Sequence, residues 1–188
     1  GPTPTHALLP GSPAIDAGDN CVTVTGGCLA QPLTSDQRGA GINRKTGNMV
    51  DIGAFESRGF RLAIASGNNQ STTINTDFVS LFSVTVTANG AGEPVSGGQV
   101  TFTPPVSGAS CTVAGSPATI SGSTATTGIV TANATAGGPY NVVANTRGAT
   151  NITSVNFSLT SLPLSLLATA SARTTGQLRG RKTTVASD

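Results

Sequence analysis

Between residues 60 and 161, apolar and polar side chains alternate in short runs. Phe82, Val84 and Val86 are interleaved with Ser83, Thr85 and Thr87. Val100 and Phe102 alternate with Thr101 and Thr103, and Val155, Phe157 and Leu159 with Asn156, Ser158 and Thr160. A period of two puts one set of side chains on a buried face and the other in water, the signature of a half-buried strand. Clusters of turn formers separate the runs: Asn89-Gly90-Ala91-Gly92, Ser96-Gly97-Gly98, Gly122-Ser123, Gly137-Gly138-Pro139 and Arg147-Gly148. The pattern predicts strands over 61–65, 81–88, 98–103, 111–120 with a break at Gly115-Ser116-Pro117, 127–134, 139–146 and 152–160.

About seven short strands in about 100 residues is the arithmetic of an immunoglobulin-like β-sandwich. Its core is expected to consist of Phe82, Val84, Val86, Val100, Phe102, Ile120, Ile129, Tyr140, Val142, Val155 and Phe157. The antibody pattern of two cysteines around a tryptophan is missing, so apolar burial alone must hold the two faces together. Tyr140 stands near the start of the penultimate strand. It is either a corner tyrosine, with its ring inside and its hydroxyl on backbone, or a plain core or edge residue.

Residues 1–59 lack the alternation. They hold Pro2, Pro4, Pro10, Pro13 and Pro32, and turn signals at Gly11-Ser12-Pro13, Asp16-Ala17-Gly18-Asp19-Asn20 and Gly39-Ala40-Gly41. A stretch this loop-rich buries little apolar area alone and is expected to need a neighbouring core. Residues 162–188 are rich in Ser, Thr, Ala and Gly, which predicts a flexible tail or linker.

Composition narrows the class. Only 10% of the 188 residues are charged, against about 25% in an ordinary soluble domain. There is little Glu, Lys or Arg to clothe helices, so the chain is read as all-β. A net charge of +2 gives no field for nucleic acid. The basic cluster Arg173, Arg179, Arg181 and Lys182 has no aromatic residues interleaved, and no nucleic-acid partner is expected. The apolar stretch from Leu162 to Ala168 contains Pro163 and Ser165 and falls far short of the roughly 20 residues of a spanning helix, so membrane insertion is not expected.

Candidate chemistry is sparse. Cys21 and Cys28 bracket a short Gly-containing loop, where a local disulfide is sterically reasonable and would suit an oxidising, extracellular setting. Two free thiols are the alternative. Cys111 is the odd one, read as a small strand residue. Asp16, Asp19, Asp36 and Asp51 are the main oxygen donors, together with Asn20. They could bind calcium, although Asp16-Ala17-Gly18-Asp19-Asn20 lacks the spacing and closing Glu of an EF-hand. Alternatively they cap turns and pair with Arg38 and Arg44. The only histidine, His6, lies in a Pro-rich start and Ser12 is a turn serine, so neither a catalytic triad nor any resident cofactor is expected.

Two family resemblances add to this reading. Leu8-Leu9-Pro10-Gly11-Ser12-Pro13-Ala14-Ile15-Asp16-Ala17-Gly18-Asp19-Asn20, then Thr34-Ser35-Asp36-Gln37-Arg38-Gly39, then Val50-Asp51-Ile52-Gly53-Ala54-Phe55-Glu56, resembles the choice-of-anchor Q region. There it closes the C-terminal end of a parallel β-helix in bacterial surface or secreted proteins. The family often carries further cysteines near the last motif; Asn48-Met49-Val50 stands there instead, which favours the local Cys21–Cys28 pair. Residues 62–161 resemble bacterial, invasin-like Ig repeats, on Glu93-Pro94-Val95-Ser96-Gly97-Gly98-Gln99-Val100-Thr101-Phe102, residues 126–144 and Val155-Asn156-Phe157-Ser158-Leu159-Thr160.

Together these imply a loop-rich segment over 1–59 that closes a β-helix, an Ig-like sandwich over 60–161 and a tail over 162–188. The function implied is a non-enzymatic stalk or spacer of an extracellular or cell-surface protein, with surface glycans or proteins as the open class of partner. The rival is the accessory end of a β-helix polysaccharide-degrading enzyme whose catalytic coils lie upstream. A carbohydrate-binding sandwich would need exposed aromatic rings, and Phe55, Phe60 and Phe78 are not clustered in sequence.

Overall fold

The computed structural model describes residues 4–150 and 155–165. It is all-β. The strands are β1 (Phe60–Ser66), β2 (Gln70–Thr73), β3 (Ser83–Ala88), β4 (Gln99–Thr103), β5 (Cys111–Val113), β6 (Ala118–Ser121), β7 (Thr124–Thr126), β8 (Val130–Ala132), β9 (Gly137–Asn145) and β10 (Val155–Leu162). One turn of 3-10 helix, Asn20–Thr23, precedes them.

Eight strands make one curled, mostly antiparallel sheet in the order β1-β3-β7-β6-β4-β9-β10-β2, and β5 and β8 form a separate antiparallel pair. β6 meets β4 over only Gln99↔Thr119 and Val100↔Ala118, a short seam that lets the sheet fold over on itself. The two edge strands are neighbours in sequence. β1 pairs with β3, the chain turns at Gly67 (φ +89°), and β2 then lies parallel to β10 from Gln70↔Leu159 to Leu162↔Thr73. Glycine is needed at this crossing, because a Cβ at Gly67 would sit 2.3 Å from the Leu81 carbonyl oxygen.

The inward residues of the alternating runs fill the curl. Phe82, Val84, Val100, Val130, Val142 and Phe157 are completely buried. The Phe82 ring centroid lies 4.5 Å from that of Phe157 and 6.0 Å from that of Phe102, so the residue leading into β3 meets β4 and β10 on one aromatic cluster. Burying each such ring contributes roughly 1.5–3 kcal/mol.

Several strand expectations need correction. The run 111–120 is two strands, β5 and β6, which join different sheets. The turn expected at Gly122-Ser123 is present, as the hairpin from β6 into β7, a short strand that the alternation does not mark. Gly137-Gly138-Pro139, read as a turn, opens β9, where Gly137 pairs with Ser161. The run 127–134 contracts to Val130–Ala132, because Thr127 bonds to Phe82 and Gly128 turns onto Ala114. Ile129 is therefore not a core residue and is 57% exposed. β10 reaches Leu162, one residue into the expected tail, and the remainder of the tail from residue 166 lies outside the described residues.

The loop-rich segment packs on the end of this fold. Ile15 is buried in the same cluster as Phe60, Leu62 and Phe82, and Leu8 packs against it. Tyr140 packs its ring on the core while its hydroxyl donates to the Ser110 carbonyl and contacts Ser161 Oγ, each at 3.1 Å. The hydroxyl thus meets backbone 30 residues upstream, not the local backbone of a corner tyrosine.

Candidate functional site

The densest polar chemistry lies in the loop-rich segment. It begins with a tight loop: the Asp36 carboxylate accepts the Arg38 amide two residues on, a turn that aspartate forms readily. Gly39 (φ +105°) lets the chain reverse, and Ser35 then bridges to Asn43. The Arg38 guanidinium is aimed back at Asp36 (2.6 Å), stacks on the Phe55 ring at 3.6 Å and donates to the Glu56 carbonyl. Its other nitrogen faces Glu93 at 3.6 Å, across the boundary to the sheet.

A second arginine organises the last motif. Arg44 forks between the Glu56 carboxylate (2.8 Å) and the carbonyls of Asp51 (3.0 Å) and Gly53 (2.9 Å). Glu56 also accepts the amides of Thr46 and Asp51, both at 2.9 Å. Asp51 accepts the amides of Asp16 and Ser57, both at 2.7 Å. Asp36 accepts the amide of Glu56 at 3.0 Å. These side chains take the place of a ladder: they satisfy backbone donors that have no strand partner.

The four candidate aspartates are spent in different ways. Asp19 caps the 3-10 turn through the Cys21 amide at 2.8 Å. Asp36 pairs with Arg38. Asp51 is buried among backbone amides. Asp16, in a left-handed conformation (φ +49°), lies against Gly47, where a Cβ would come within 2.4 Å of its carboxylate oxygen. Asp16 and Asp51 line one cleft of about 340 Å³, together with Thr46, Asn48, Ser57 and Arg58. Among the described residues no three His, Cys, Asp or Glu side chains come together as ligands for an ion. Arg44 pairs with Glu56, not with an aspartate, and Glu93 takes a part in the network that its distant position in sequence conceals.

Cys21 and Cys28 are joined by a disulfide with Cα atoms 5.3 Å apart, closing the loop that follows the 3-10 turn. Cys111 is a buried free thiol, pushed up to about 11 by burial against the opposing Tyr140 hydrogen bond. A thiol so shielded is unreactive. His6 is exposed, on the rim of a hollow with Ile52 and Phe55. Ser12 accepts the Ala14 amide as a turn residue. All six phenylalanines, Phe55, Phe60, Phe78, Phe82, Phe102 and Phe157, are buried, so no phenylalanine ring is free to stack on a sugar. No helix among the described residues is long and apolar enough to cross a membrane.

The carboxyls titrate in opposite senses. Burial works against ionisation of Asp36, but its bonds to Arg38 and to the Glu56 and Arg38 amides outweigh it and hold the carboxyl below its ordinary range. Burial raises Asp51 and Glu56 above theirs, despite the amides each accepts. A lowered folded value stabilises above the unfolded value of 3.8 and is lost as pH falls through the folded one. A raised value does the reverse: its contribution is present at low pH and is lost as pH rises through the folded value. Stability is therefore expected to rise as pH is lowered from neutrality toward weak acid, then to fall below about 4 as Asp36 is protonated. Melting temperature against pH checks this. Asp51→Asn should flatten the weak-acid rise, and a profile that only falls from pH 7 downward would contradict the assignment.

No family model, curated protein or solved structure matches this chain.

Proposed function

We propose that the chain is a non-enzymatic structural module of a bacterial secreted or cell-surface protein, a spacer that carries a neighbouring region. One observation carries this reading: the concentrated polar chemistry is turned inward to hold loops. Asp36, Asp51 and Glu56 are buried, and each accepts two or more backbone or arginine donors.

Two further features support the architecture that the resemblances imply. The order β1-β3-β7-β6 followed by β4-β9-β10 corresponds to the four-strand and three-strand sheets of an immunoglobulin constant-type sandwich. β2, parallel to β10, extends the second sheet. The three motifs behind the β-helix-end resemblance also converge: Asp16, Asp36 and the stretch from Asp51 to Glu56 share one network. The Cys21–Cys28 disulfide fits an oxidising, extracellular location.

Hydrolysis by this chain itself, as distinct from an enzyme whose catalytic coils lie upstream, would have its foothold in the cleft shared by Asp16 and Asp51, since paired carboxylates across a cleft are the apparatus of glycoside hydrolysis. Against it, both Asp51 oxygens are occupied by backbone amides. The test combines antibody labelling of intact cells with a panel of polysaccharides offered to the purified chain. Surface labelling without turnover is the expected result. Turnover that disappears in Asp16→Asn or Asp51→Asn would overturn the non-enzymatic reading, and labelling only after lysis would overturn the surface location.

A further inference from the structure

The loop-rich segment is fastened to the sheet at three separate places. At the first, the Glu93 carboxylate from the β3–β4 connection accepts Ser57 Oγ and the Arg58 amide, both at 3.2 Å, and faces Arg38 at 3.6 Å. Gly90 makes room for it, since a Cβ there would lie 2.2 Å from a Glu93 oxygen. At the second, the Gln99 amide at the start of β4 donates to the Pro10 carbonyl at 2.8 Å. Gly98 is packed so closely beneath that a Cβ would come within 2.6 Å of the Pro10 ring. The third is the β9–β10 connection. There the Arg147 carbonyl accepts the Gly11 amide at 3.2 Å, and its guanidinium reaches back to the carbonyls of Ile15 and Asp16. Between these points Ile15 is sunk into the sheet's own core, against Gly148 and Phe60.

A single attachment leaves a hinge, and two leave an axis of rotation. Three, with an apolar plug among them, leave none. We propose that residues 4–57 and the β-sheet body form a rigid joint, locked by Glu93 and Arg147, with no flexible linker between them. The joint would hold whatever the loop-rich segment carries at a fixed angle to the strands and transmit force directly to β4 and to the β9–β10 connection. This consequence for a spacer rests on the function proposed above, whereas the rigidity does not.

Backbone ¹⁵N relaxation on the full chain tests it. Amides of residues 10–57 and of β1–β10 are expected to report one common rotational correlation time. Two distinct times in the unaltered chain would overturn the proposal. In Glu93→Ala/Arg147→Ala the backbone bonds of Gln99 to Pro10 and of Gly11 to Arg147 remain as an axis. The first group should therefore gain motion about it, read as lowered order parameters, while the strand amides keep their shifts. A double variant whose order parameters are unchanged would overturn the assignment of the lock to these two residues. If the variant does not fold, the measurement on the unaltered chain still decides. A common time found alongside polysaccharide turnover would leave the joint standing and remove the spacer reading.

Discussion

Replacing Arg44 with alanine is expected to cost about 3–5 kcal/mol, the usual penalty for stranding one partner of a buried ion pair. The Glu56 carboxylate side chain is 1% exposed and Arg44 itself only 10%, so neither water nor a mobile counter-charge can replace the guanidinium. The same substitution strips the carbonyls of Asp51 and Gly53 of their donor. Arg44→Lys should recover only part of the loss, because an ammonium cannot reproduce the planar fork that serves three acceptors. Glu56→Gln in the Arg44→Ala background should also recover part of the loss, since it removes the buried charge. Its single amide oxygen can accept only one of the Thr46 and Asp51 amides, which bond different carboxylate oxygens. Urea denaturation of the three variants checks that both rescues fall between Arg44→Ala and the unaltered chain. Equal stability of Arg44→Ala and the unaltered chain would mean the pair contributes nothing and that another group holds the last motif. Hydrogen exchange adds where the damage falls. Through the Ile15 plug it should reach Phe60 and Gly148 as well as the loops themselves.

The sequence is informative where the cause is local. Two-residue periodicity marks β3, β4 and β10, because a strand with one wet face must alternate, and Val84, Val86, Val100, Phe102, Phe157 and Leu159 are all buried as that rule demands. It fails where partners rather than pattern make the strand. Gln70-Ser71-Thr72-Thr73 has no apolar face. It becomes β2 because it lies alongside β10, while Gln70 exchanges hydrogen bonds with the backbone of Ser80. Pro139 suggested a turn, yet it sits in the first residues of β9, where pairing to β10 is irregular and an amide is not required. The candidate site divides in the same way. The Asp36–Arg38 turn is legible from a two-residue spacing. The reach of Glu93 to Ser57 and Arg58 spans more than thirty residues and leaves no local trace. Ile15 looked like one apolar residue in a loop, and only the folded chain shows it belongs to the sheet's core.

Phe82→Ala should be as damaging as the loss of Arg44, but by cavity formation in place of a stranded charge. Phe82 has no exposed surface and touches both other rings of the cluster, Phe102 on β4 and Phe157 on β10. Removing a buried phenylalanine costs about 3–5 kcal/mol, part from lost transfer energy and part from the cavity that remains. In a chain of this size that is a fall of roughly 6–20 °C in melting temperature. Phe102 and Phe157 stand on β4 and β10 in one half of the curled sheet and Phe82 leads into β3 in the other, so the vacancy cannot be closed by shifting one strand without unseating another. Ile129→Ala is the internal control. Alternation alone would place Ile129 in the core, but its side chain is 57% exposed, and the substitution should change stability by no more than about 0.5 kcal/mol. Thermal melts of the two variants beside the unaltered chain separate the possibilities. A large loss for Ile129→Ala, or a small one for Phe82→Ala, would mean that β8 and the 127–129 turn are rotated from the arrangement described and that the aromatic cluster is not the centre of the fold.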